Sequence, residues 1–134
     1  MEDGEVEDSD VFGDRTHHFV PPAWVMFDAL TVDLDKWLDL APGEVRPRIL
    51  EAERPSRVVW SSFWPVSPND TVELLLAPDG PGTTLRFIWR SPSPPDERGV
   101  AITRQRLNQK LAGDLREWVD TGSRIVREAS PARD

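Results

Sequence analysis

The chain has no cysteine, no tyrosine, only two lysines and two histidines, and no long apolar run. Without cysteine there is no disulfide framework, no thiolate zinc site and no cysteine nucleophile. No stretch approaches the roughly 18 apolar residues of a membrane span. The acidic N-terminus lacks an apolar signal core, so a cytoplasmic protein is expected rather than a secreted one. Positive charge is also scarce. There are 24 acids against 16 bases, a formal charge of −8 on 134 residues. Six of those acids fall in residues 1–10, which hold no base, so the other 124 residues carry 18 acids and 16 bases. The balance excludes a broad nucleic-acid-binding face, which needs clustered positive charge. What the chain does have is six tryptophans, a large apolar content for one small domain.

Residues 1–13 are acidic and aperiodic and read as a disordered tail. Residues 120–134 read as a flexible C-terminal tail. The organised region, about 14–119, is a single domain. Thr16–Val20 is a short strand that ends at Pro21-Pro22, a pair suited to a helix start. Trp24, Phe27 and Leu30 then recur on one helical face. Asp33 is placed to cap a second short helix bearing Leu34, Trp37 and Leu38. Four strand patterns follow in quick succession: Glu44–Glu53, Arg57–Trp64, Thr71–Ala77 and Thr83–Arg90. Pro47 restricts the first to an edge or bulged strand. Turn-forming links join them, which predicts an antiparallel meander. Apolar positions Val100, Leu107, Leu111, Leu115 and Trp118/Val119 form one face of a long C-terminal helix. The fold class is α+β, a curved antiparallel sheet of about five strands with that helix packed across it. Space left under the helix would be a pocket.

No catalytic motif is visible. The neighbours His17 and His18 point to opposite faces of a strand and are poorly placed to share a metal. A serine-histidine-acid triad would have to recruit one of them, and no G-x-S-x-G or H-E-x-x-H pattern exists. Asp33, Asp35 and Asp39 lack the register of a calcium loop. Gly80–Gly82 lacks the basic and hydroxyl residues of a phosphate loop. No metal and no cofactor is expected. Arg46, Arg48, Arg86 and Arg90 fall on outward strand positions, either solvated or a docking face for an acidic protein partner. Trp60, Trp64, Phe87 and Trp89 lie on adjacent strands facing Leu107 and Leu111, and an ordinary core accounts for them by residue type. Arg104 and Asn108 flank the same helical stripe, and Gln105 and Arg106 read as solvated.

The order of elements resembles the helix-grip or START-like (SRPBCC) superfamily. Three stretches carry the likeness: Val20–Thr31 (VPPAWVMFDALT), Asp79–Arg86 (DGPGTTLR) and Leu111–Asp120 (LAGDLREWVD). The resemblance implies a cavity between sheet and C-terminal helix for a small apolar or aromatic ligand. Its walls would be Trp60, Trp64, Phe87, Trp89, Leu107 and Leu111, with Arg104 and Asn108 as polar anchors. Members of the superfamily usually have six or seven strands. Five here imply a smaller or more open cavity. The resemblance leaves open a polyketide cyclase or aromatase-like enzyme and an interaction module like the heat-shock ATPase activators. Neither nucleic acid nor membrane insertion is expected.

Overall fold

The computed structural model describes residues 10–120. Most of the two expected tails lies outside that range. The exceptions are Asp10, in a turn, residues 11–13, which begin the first strand, and Asp120, which ends the last helix.

Five strands form one antiparallel sheet in the order β1-β5-β4-β3-β2. They are β1 (Val11–Phe19), β2 (Ile49–Glu53), β3 (Arg57–Ser61), β4 (Thr71–Asp79) and β5 (Gly82–Arg90). The last four make the expected meander, and β1 closes the sheet by pairing with β5. β1 starts well before the predicted Thr16. Its outer half is one-sided and polar, so it has little hydrophobic pattern to read. The predicted strand 44–53 shortens to β2 at the sheet edge. Pro47 has no N–H to give, and Glu44 is drawn into a cluster of charges described below.

Helix α1 (Ala23–Leu30) follows the proline pair, with Pro22 as its N-cap. Its buried face is Val25, Met26, Phe27, Ala29 and Leu30, so the expected apolar stripe is corrected at one end. Trp24 points to solvent and is 58% exposed. The second short helix is only a 3-10 turn (Leu34–Lys36). Asp33 does not cap it through its side chain, and instead lies 3.4 Å from Lys36.

The C-terminal helix is continuous but not uniform. It begins as α2 (Glu97–Asn108), capped where Asp96 accepts the Gly99 N–H at 2.9 Å. A π-helical stretch (Gln109–Leu115) follows, then α3 (Arg116–Asp120). Its buried face carries Leu107, Leu111, Leu115 and Trp118.

The sheet's inner face is built of cross-strand rows. Trp60, Val72 and Trp89 form one, and Val58, Leu74 and Phe87 the next. All six are at most 1% exposed. Alternation along each strand sends Glu73, Arg86 and Asp14 to the outer face. There Glu73 bridges Arg57 and Arg90 at 2.7 and 2.8 Å, and Asp14 accepts both Arg86 bonds at 2.6 and 2.8 Å.

Candidate functional site

The apolar rows end differently on β1. Trp89 faces Gly13, Phe87 faces Arg15, and Leu85 faces His17. A bulge near Val11 re-aims the strand at that point. Three large side chains are thus succeeded by none, by an extended cation and by an imidazole, so the edge of the sheet is not filled. The result is an open groove of about 370 Å³ between β1 and α2, lined by Val11, Phe12, Gly13, Asp14, Arg15, Phe87 and Arg104. A second hollow of about 440 Å³ shares Phe12 and Arg104 and adds Pro95, Glu97 and Val100.

Gly13 lets the groove approach the core. A Cβ built there would stand 3.4 Å from Trp89 and 3.8 Å from Arg104 Cγ. Arg104 is tied to β1 by its Nε–H, which donates to the Phe12 carbonyl. Behind the groove, the His17 Nε2–H donates to Asn108 Oδ1 at 3.0 Å, and its ring stacks on Phe87 at 6.3 Å between centroids. Burial holds the His17 pKa below its ordinary value of 6.5. The bond to Asn108 opposes that, and Arg116 and Arg15 add to it. The imidazole is therefore neutral near pH 7.

The eight residues predicted to bind ligand divide into groups. Phe87 and Arg104 line the groove, and Asn108 holds His17 at its back. Trp60, Trp89, Leu107 and Leu111 are fully buried in the core. The two indoles are satisfied there, Trp60 donating to the Leu30 carbonyl at 3.0 Å and Trp89 to Asp70 at 3.0 Å. Trp64 lies at a separate hollow of about 260 Å³ with Val45, Arg46 and Arg48. Sequence reasoning missed Phe12, Gly13 and Arg15. The alternation Gly13-Arg15-His17-Phe19 was their signal, masked by the acidic composition just before it.

A second cluster was also missed. Arg106, read as solvated, donates from Nε and Nη2 to the two oxygens of Glu44 at 3.0 and 3.1 Å. Lys110, with no exposed side-chain surface, donates to Glu44 at 2.8 Å and to the Asp39 carbonyl at 2.8 Å. Its ammonium also sits 5.0 Å from the Phe63 ring centre. Burial alone would raise the Glu44 pKa, but the bonds from Arg106, Lys110 and the Ala41 N–H bring it down to about 2. This carboxylate, ionised at neutral pH, staples the 39–44 loop to the helix. The signal was that one of only two lysines stands three residues from Leu107 on the apolar stripe. Among the described residues, no group of three or more His, Cys, Asp or Glu is placed to hold a metal ion.

No family model matches the chain, and no curated protein matches it. Solved structures do match. The Aha1 dimer from Colwellia psychrerythraea superposes with a TM-score of 0.66 at 16% identity, over 81% of this chain and 96% of that one. CalU16 from Micromonospora echinospora gives 0.63 at 22%, over 89% and 83%. DynU16, from the dynemicin biosynthetic locus, gives 0.67 at 20%, over 84% of this chain and 48% of that one. The chain has the helix-grip fold. At these identities the likeness carries the fold and leaves function to the residues.

Proposed function

We propose that the domain binds a small apolar or aromatic molecule in the groove between β1 and the C-terminal helix. One observation carries the reading: the inner-face rows of large apolar residues stop at Gly13, Arg15 and His17, leaving a concave, partly aromatic space beside a rigid core. Burial of ligand surface against Val11 and Phe12 supplies roughly 25 cal/mol per Å². DynU16, a neighbour by fold, comes from a biosynthetic locus, which is consistent with a small-molecule ligand. The ligand sits at the edge of the sheet rather than among Trp60 and Trp89, whose space is occupied by the protein itself. The proposal retains the cytoplasmic location expected from the sequence.

The two alternatives gain less. A docking face built on Arg46 and Arg86 has little free charge, because those side chains are engaged by Asp35 and Asp14. An enzyme of the cyclase kind would want an acid or base in the groove, and the neutral His17 is instead spent on Asn108.

The test is amide NMR with a panel of apolar and aromatic compounds. Binding in the groove moves the Phe12–Arg15, Phe87 and Arg104 resonances together. A panel that leaves those resonances and the melting temperature unmoved refutes the reading.

A further inference from the structure

The arginines of this domain are mostly spent on carboxylates. Among the described residues, Arg46, Arg54, Arg57, Arg86, Arg90, Arg106 and Arg116 each pair with an Asp or Glu. Arg15, Arg48, Arg98 and Arg104 have no acidic partner among the described residues, and of these Arg15 and Arg104 line the same groove. Arg104 is held in place by its Nε alone, so its Nη groups are free to face the groove. Arg15 extends from the inner side of β1 opposite Phe87.

The acids nearby do not neutralise this pair. Asp14 also lines the groove, but Arg86 takes both its carboxylate oxygens on the outer face. Glu97 lines the adjoining hollow rather than this one. Arg15 and Arg116 both act to lower the His17 pKa, which marks a positive potential along this edge.

We infer that the groove takes an aromatic monoanion, its ring against Val11 and Phe12 and its carboxylate or sulfonate between Arg15 and Arg104. This rests on the groove being a ligand site, as proposed above. Guanidinium suits the task because its planar fork donates two parallel bonds to such an anion. A neutral ligand of the same shape would leave both guanidinium groups of the groove without an anion.

The experiment compares two probes of the same skeleton, 8-anilinonaphthalene-1-sulfonate and its uncharged parent N-phenyl-1-naphthylamine, by fluorescence titration of the folded chain. Wild type binds the anion more tightly. Arg15→Gln and Arg104→Gln each weaken the anion about 10- to 100-fold and weaken the neutral probe far less, so that the preference for the anion over the neutral probe falls. Arg15 is exposed and bonded to nothing among the described residues, so Arg15→Gln probes charge without touching the fold. Gly13→Leu, which fills the groove, weakens both probes. Equal affinities in wild type, or an anion affinity untouched by both arginine variants, overturn the anion inference while the groove stands. Unchanged binding of both probes in Gly13→Leu, with its thermal melt intact, overturns the groove and the inference together.

Discussion

Glu44→Gln tests the buried cluster quantitatively. Wild-type Glu44 is 3% exposed and holds Arg106 and Lys110. Its pKa falls from 4.5 to about 2, which corresponds to about 3 kcal/mol of stability at neutral pH. The folded pKa is the lower one. The contribution is therefore complete above pH 4.5 and is lost as the pH falls toward 2. The same interaction seen from the cation is the Lys110 ammonium left buried without its anion, a loss of about 3–5 kcal/mol for a broken buried pair and not an addition to the first figure. Urea unfolding of both proteins at pH 7, 5, 4 and 3 measures the difference. It should be about 3 kcal/mol at pH 7 and shrink steadily below pH 4.5. Asp114, whose pKa is raised by burial and by Asp39, has the opposite pH trend, but it is present in both proteins and cancels in the difference. Adding Lys110→Met to Glu44→Gln should recover part of the loss, because a thioether packs against Phe63 at no charge cost. A difference below about 1 kcal/mol at pH 7, or one constant from pH 7 to 3, refutes the reasoning.

Three further outcomes follow from named contacts. Gly82→Ala should be among the most damaging glycine changes, about 2 kcal/mol or more by thermal melt, because its Cβ would lie 2.3 Å from the Phe19 carbonyl. Trp24→Ser should shift stability by no more than about 0.5 kcal/mol, since that indole is mostly in solvent; a drop of several degrees in melting temperature contradicts the exposed placement. The His17 imidazole should titrate by NMR with a midpoint below 6.5, so that its contribution to stability falls away as the pH drops through that range; a midpoint at or above 6.5 contradicts its burial.

Much of the fold was legible because it is local. Strict alternation in Thr71–Ala77 and Thr83–Arg90 placed Val72, Leu74, Leu85, Phe87 and Trp89 on the correct face. Proline and glycine marked the turns, and the 100–119 stripe announced the long helix. β1 was only half legible, because an edge strand that carries Arg15 and His17 inward lacks the apolar pattern that reveals a strand. The π-helical stretch was invisible, since nothing in Gln109–Leu115 breaks the ordinary helical periodicity.

The candidate site was legible only in part for a related reason. Residue type marks Trp60, Phe87 and Trp89 alike as large and apolar, yet two are sealed in the core while Phe87 also walls a groove. That distinction depends on which side chain β1 places opposite each one. Strand number, strand direction and the apolar face of the long helix are written locally, in periods of 2 and 3.6 residues along the chain. Which tryptophans are buried, which arginines are spent and where space is left emerge only when distant segments meet. Those outcomes rest on pairings such as Asp14 with Arg86 and Glu44 with Lys110, 72 and 66 residues apart. No local pattern encodes such pairings.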